Sequence, residues 1–161
     1  MPFVPANFAI PQGFRTADFI LRPLTIHDLI KDYDAVMSSR ERLVGVFGPG
    51  ADWPAADMTL EEDLVDLGWH QGEFDRRRSF AYTVMAPQAG GGEGACLGCA
   101  YIYPAEWAGY ETKAYCWVRT SAAHLDEALF TAFRDWIAAD WPFGAVAYPG
   151  RDISWADWAA T

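Results

Sequence analysis

Three places in this chain carry residue types and spacings that could do chemistry. The first is Thr120-Ser-Ala-Ala-His124. It joins a strand-like run, Lys113-Ala-Tyr-Cys-Trp-Val-Arg119, to a segment with apolar residues at Leu125, Leu129, Phe133 and Ile137. Apolar positions four apart form one stripe of a helix. A strand entering a helix N-terminus suits an anion such as phosphate, because unpaired N–H groups and the helix dipole point there. This turn has no glycine, and the plainer reading is that Thr120 or Ser121 caps a structural helix. Both readings stay open. The second place is Cys96-Leu-Gly-Cys99, which has the spacing of a redox or zinc motif. It lies in a strand pattern, where residues three apart point to opposite faces. Only Cys116 remains as a third thiol, and no nearby His pair completes a tetrahedral site. The three cysteines therefore read as small buried residues in a reducing compartment. The third is Arg76-Arg77-Arg78, which could take an acidic group or simply end a helix, where cations suit the dipole. The glycine-rich Pro87 to Ala95 segment has no Lys-Ser/Thr and no following helix, so it reads as the end of a hairpin.

These places need elements to hold them. Residues 1–17 read as an irregular arm, punctuated by Pro2, Pro5, Pro11 and Gly13. Asp18-Phe-Ile-Leu-Arg-Pro23 is a first strand, ended near its proline. Thr25 to Asp28 has the form of a helix cap, and the helix runs to about Ser39 with Leu29, Tyr33, Val36 and Met37 inward. Residues 40–58 form a loop rich in glycine and proline, with one short helical turn. Thr59-Leu-Glu-Glu62 is a second capping box, followed by a stripe of Leu60, Leu64, Leu67 and Phe74. Strands follow at 79–86 and 96–103, then a connection over 104–112 and a strand over 113–119. A helix near 122–140 is stopped by Trp141-Pro142, and a short strand over 144–148 is ended by Pro149-Gly150. Residues 150–161 are a tail too short for another helix and strand pair, and the single domain is expected over 18–149. The order is β-α-α-β-β-β-α-β. Its central strands are apolar on both faces, which requires cover on both sides of the sheet and an α/β, three-layer architecture.

The chain has 161 residues, enough for one domain with a sizeable core, and 52% of them are hydrophobic. Aromatic residues make up 16%, so the core is dense with rings, some of which are available for a pocket or a subunit contact. The net charge of −10 disfavours nucleic acid and anionic membrane surfaces as partners. The N-terminal residues lack the pattern of a signal peptide, and no stretch approaches the roughly 20 apolar residues of a membrane span. A soluble, cytoplasmic protein is expected.

The element order, headed by Phe19-Ile-Leu-Arg-Pro-Leu24, resembles the GNAT superfamily of acyl-CoA-dependent N-acetyltransferases over roughly residues 18–149. Leu21-Arg22-Pro23-Leu24-Thr25 with Asp28 is similar to the family's first strand and helix start. Leu97-Gly98-Cys99-Ala100-Tyr101-Ile102 is similar to its third strand. Ala114 to Arg119, with the helix after it, matches the central strand and cofactor-binding helix. The resemblance implies a mixed, mostly antiparallel twisted sheet with helices on both faces. It implies acetyl-CoA as cofactor, in a V-shaped opening between the fourth and fifth strands. The family's pyrophosphate loop, Q/R-x-x-G-x-G/A, falls on Arg119 to Leu125, so the implied cofactor contacts are Val118, Arg119, Thr120, Ser121, Ala122 and Ala123. This loop lacks the glycines, and Asp126 and Glu127 add negative potential beside it. The chain also lacks the family's later helix and strands, whose tyrosine protonates the departing thiolate. Tyr148 lies on the strand itself and does not take that role. A homodimer, in which a neighbouring subunit covers the open edge and exposed Trp155 and Trp158, would supply the missing cover.

Acetyl transfer needs a base for the acceptor ammonium. His70, Glu73, Glu106 and Glu111 are the candidates, each with a plainer reading as a packing or solvated residue. Trp53, Trp69 and Trp107 could wall a ligand or belong to the core. The sequence assigns no catalytic acid or base. Two functions follow from the resemblance. One is an N-acetyltransferase acting on a small-molecule or protein amine. The other is a non-catalytic binding or assembly protein that keeps the fold and has lost acetyl-CoA.

Overall fold

A computed structural model of the protein describes residues 2–107 and 109–160. Its strands are β1 (Phe14–Arg15), β2 (Ile20–Pro23), β3 (Phe80–Pro87), β4 (Glu93–Trp107), β5 (Tyr110–Val118) and β6 (Val146–Ala147). They form one six-stranded sheet in sequence order. Every pairing is antiparallel except β5 with β6, which is parallel. The helices are α1 (Leu29–Met37), α2 (Arg40–Leu43), α3 (Leu60–Asp75), α4 (Asp126–Asp140) and α5 (Trp155–Ala160), with 3-10 turns at Ile26–Asp28 and Thr120–Leu125.

Alternating side chains divide the sheet into two cores, as strand geometry requires. On one face Tyr82, Ala100, Ile102, Cys116 and Val118 pack under α4, whose Leu129, Phe133 and Ile137 are buried. On the other, Ala81, Met85, Tyr101, Tyr115 and Trp117 pack under α1 and α3. The result is three layers with helices on both faces, as expected. Both capping boxes form: Thr25 with Asp28, and Thr59 with Glu62, each exchanging side-chain and backbone hydrogen bonds. Arg22 ties β2 to the first of these starts, pairing with Asp28 at 2.7 Å and with Glu93 at 2.7 Å.

Four local expectations change. The α3 stripe is rotated: Asp63, Leu67 and His70 are buried, while Leu64 is exposed. Cys96 and Cys99 share one face instead of pointing apart. Met85 pairs with Cys96 while Val84 pairs with Gly98, so Leu97 is an extra residue on β4. A bulge of this kind breaks the period of two. The expected connection over 104–112 is strand for most of its length, since β4 runs to Trp107 and β5 starts at Tyr110. The terminal tryptophans are not exposed on an open edge: Trp158 is buried against Trp107 and Tyr110, and Trp155 stacks on Tyr115. The association expected from their exposure loses that basis.

The N-terminal segment is irregular but integral. Val4 is buried in the α4-side core. Phe3 stacks on Phe143 with centroids 5.0 Å apart, and Tyr82 donates its hydroxyl to the Pro11 carbonyl at 2.6 Å. Arg77, the C-terminal neighbour of α3, turns away from the helix with φ 62° and holds the Pro5 and Phe8 carbonyls at 2.7 Å each. No described helix is long and apolar enough to cross a membrane.

Candidate functional site

The site begins where β5 and β6 part. Only Thr112 with Val146 and Lys113 with Ala147 are in register. Beyond them the strands splay into a wedge of about 400 Å³, bordered by Tyr115, Cys116, Arg42, Asp126, Arg151 and Trp155. The wedge reaches the head of α4. There Arg151 grips Asp126 with two bonds of 2.9 Å, and Arg42 lies 3.4 Å from the same carboxylate. Burial pushes the Asp126 carboxyl up, but these guanidiniums outweigh it and hold the group below the usual carboxylate range. The same arginines reach the β5 edge: Arg151 donates to the Cys116 carbonyl at 3.0 Å and Arg42 to the Val118 carbonyl at 3.1 Å.

The strand-to-helix junction sits beside this wedge. Thr120, Ser121 and Ala123 are exposed, whereas Val118 and Ala122 are buried in the α4-side core. Solvent therefore reaches the junction at Thr120, Ser121 and Ala123. The Thr120 N–H donates to the Ser39 hydroxyl at 2.8 Å, and the Ala122 N–H to the Arg119 carbonyl at 2.9 Å. Arg119 faces α1, donating to Asp34 at 2.9 Å, to Ser38 at 3.2 Å and to the Cys96 carbonyl at 3.1 Å.

On the other side of Tyr115 lies a second, larger opening of about 1040 Å³. Its walls include Trp69, Glu73, Tyr103 and Lys113, with Phe3 and Val4 of the N-terminal segment. Tyr115 lines both the wedge and the cleft, and Phe47 of the cleft wall meets it edge to face at 5.2 Å. Deeper in, a pocket of about 220 Å³ is walled by Phe47, Trp53, Trp69, Tyr101 and Tyr103, with Asp66 and His70.

The structure sorts the candidate bases. His70 is 7% exposed and lines this inner pocket. Burial lowers its pKa against the opposing pull of Asp66 and Glu73, so the imidazole is neutral near pH 7. Its Nε2 lies 3.8 Å from Asp66, and its buried Nδ1 has no hydrogen-bond partner. Glu73 lines the cleft 3.9 Å from both Arg76 and Arg78, and Glu106 is on its exposed rim. Glu111 is spent on structure, accepting the Gly144 N–H. Trp53 and Trp69 reach the pocket, while Trp107 packs on Trp158 instead. Sequence reasoning missed Arg42, Asp66 and Arg151. Nothing local marks them, because each acts through partners on distant elements. The Pro149-Gly150-Arg151 turn was read only as a strand stop. Among the described residues no group of three or more His, Cys, Asp or Glu could hold a metal ion.

No family model matches the chain, and no curated protein matches it. Solved structures do. The ribosomal-protein-S5-alanine acetyltransferase from Vibrio fischeri is 12% identical, with 86% of this chain and 75% of that one covered and a TM-score of 0.63. An acetyltransferase assigned to the GnaT family, from Bordetella pertussis, is 17% identical over 80% of this chain and 70% of that one, with a TM-score of 0.56. The microcin C7 self-immunity acetyltransferase, solved with acetyl-CoA and AMP, is 8% identical over 81% and 70%, also with a TM-score of 0.56. At these identities the likeness is one of fold, and the chain has the GNAT acetyltransferase fold.

Proposed function

We propose that the protein is an acyl-CoA-dependent N-acetyltransferase acting on an amine, carried by a small molecule or a protein. The carrying observation is the splayed β5–β6 pair, whose wedge meets the head of α4 and shares Tyr115 with an aromatic cleft. Acetyl-CoA, when bound, supplies an acyl thioester. In this reading Thr120, Ser121 and Ala123 border its phosphates from solvent. Val118 and Ala122 shape the wall behind them, and Arg119 anchors the junction to α1. Arg42 and Arg151 provide a local positive field in a chain of net charge −10, and their guanidiniums exchange the Asp126 carboxylate for phosphate oxygens. His70, neutral and with no hydrogen-bond partner at Nδ1, takes the proton of the acceptor ammonium directly or through water. The three cysteines are free and buried, which fits a cytoplasmic compartment.

A second reading has one observation in its favour. Arg151 bonds both Asp126 and the Cys116 carbonyl, so the wedge can satisfy its own charges and strand edge without a ligand. That arrangement suits a protein that keeps the fold and binds no cofactor. Calorimetric titration with CoA and acetyl-CoA separates the two. At a hundred times its dissociation constant, a ligand of the native state adds roughly 2.7 kcal/mol of stability. Ser121→Glu places a carboxylate on an exposed residue of the junction and should abolish that gain. No heat and no stabilisation at millimolar CoA would refute the acetyltransferase reading and leave the second.

A further inference from the structure

The inner pocket has a composition of its own. Its rings are Phe47, Trp53, Trp69, Tyr101 and Tyr103, and its polar groups are Asp66 and His70. No lysine or arginine lines it. The rings are locked to one another: Phe47 lies 5.3 Å from Trp53 and 5.2 Å from Tyr101, and Tyr101 stacks on Tyr103 at 6.0 Å. His70 is wedged between Trp69, at 5.0 Å, and Tyr101, at 5.4 Å. Trp69 is 52% exposed, a large apolar surface on the pocket wall.

Electron-rich ring faces attract a cation, most strongly where water is excluded. Asp66 adds a negative charge at the same wall. The His70 Nε2 lies 3.8 Å from Asp66, and Nδ1 is buried with no hydrogen-bond partner. A buried acceptor left unsatisfied is costly, and a ligand N–H relieves that cost. We propose that this pocket binds a compact primary ammonium group on a narrow aliphatic stem, with the rings enclosing the cation and His70 Nδ1 and Asp66 accepting its N–H bonds. The volume of about 220 Å³ suits a few heavy atoms and excludes a folded partner. The larger cleft outside leaves room for the rest of the molecule. The proposal rests on the acetyltransferase reading only for the role of this amine as acceptor, because binding is read without any thioester.

The test uses the whole chain and three probes: n-propylammonium, tetramethylammonium and neutral 1-propanol, followed by calorimetry and tryptophan fluorescence. Propylammonium should bind about tenfold more tightly than propanol, the share of a desolvated cation over ring faces. It should also bind more tightly than tetramethylammonium, which offers no N–H to His70. Trp69→Ala and Asp66→Asn alter residues at the solvent-facing rim, and each should weaken propylammonium several-fold while the thermal transition stays put. Equal affinity for propylammonium and propanol, or unchanged affinity in Trp69→Ala, overturns the proposal. Propylammonium binding in a protein that shows no CoA response supports the pocket and refutes the acetyltransferase reading. CoA binding with no ammonium binding does the reverse.

Discussion

Asp32 and Asp63 make a sharp test of the physics inside the α1–α3 layer. Asp32 is 3% exposed and Asp63 1%, and their carboxyl groups share a hydrogen bond. Burial first, then the Asp63 charge, raises the Asp32 pKa well above the ordinary carboxylate value. Asp63 is raised too, by burial, against the bond that Asp32 offers it. The pair titrates as a unit, with the shared proton on Asp32. A folded-state pKa above the unfolded one means the native state holds a proton that the unfolded chain releases. Stability from this group is complete below the unfolded pKa and is lost as pH rises toward the folded pKa, by about 1.4 kcal/mol per pH unit. Asp32→Asn cannot ionise. It keeps a donor for Asp63 and an acceptor for the Cys99 thiol, which lies 3.5 Å from Asp32 Oδ1. The variant should therefore gain on the wild type by about 1.4 kcal/mol per pH unit above the unfolded carboxylate pKa, then level off once Asp32 ionises in the folded protein. Asp28, Glu93 and Asp126, all held low by arginines, give stability of the opposite pH sense. They are common to both proteins and cancel in the difference. Urea unfolding of both proteins in steps from about pH 4.5 to 7.5 measures it. A difference that stays flat with pH, or a variant less stable throughout, would refute the buried-proton account.

Two other substitutions probe the sheet and the wedge. A Cβ on Gly98 would fall 1.9 Å from the Trp117 carbonyl oxygen, a backbone atom of β5. Gly98→Ala should cost about 3 kcal/mol or more, read as a fall in Tm, and a melting point within a degree or so of wild type would contradict the close β4–β5 approach. Arg151→Met removes the paired bonds to Asp126 and the bond to the Cys116 carbonyl in a half-buried setting. It should lower stability by about 1–3 kcal/mol in urea unfolding and weaken CoA where CoA binds, and an unchanged stability would mean that the Asp126 cluster is held by Arg42 alone.

What the sequence disclosed and what it hid divide along physical lines. The capping boxes at Thr25 and Thr59 were legible because their signal is local: a hydroxyl and a carboxylate three residues apart. The α4 stripe was legible because its apolar positions keep helical spacing. The α3 stripe slipped because its buried face is shared with polar residues: Asp63 and His70 are inside, and Leu64 gives up its place. The two cysteines were misplaced because a bulge at Leu97 has no sequence mark of its own. The wedge was implied by the family resemblance, but its Arg42–Asp126–Arg151 lining was not, since those residues lie on three separate segments. The aromatic pocket was half seen. Trp53 and Trp69 stood out by type, while Phe47, Tyr101 and Tyr103 looked like core.

The N-terminal segment has a consequence for how the chain is made. Phe3 docks on Phe143, and Phe8 packs on Trp141 with centroids 5.7 Å apart. During translation these first rings leave the ribosome long before the surface they need. They must wait, solvated or loosely held, until residues 141–143 have emerged. Closing a loop of that length is slow, and it comes after the β3–β4–β5 meander has had time to pair. The β3–β4–β5 sheet should therefore form with one flank bare, and residues 3–8 seal it only once residues 141–143 are available.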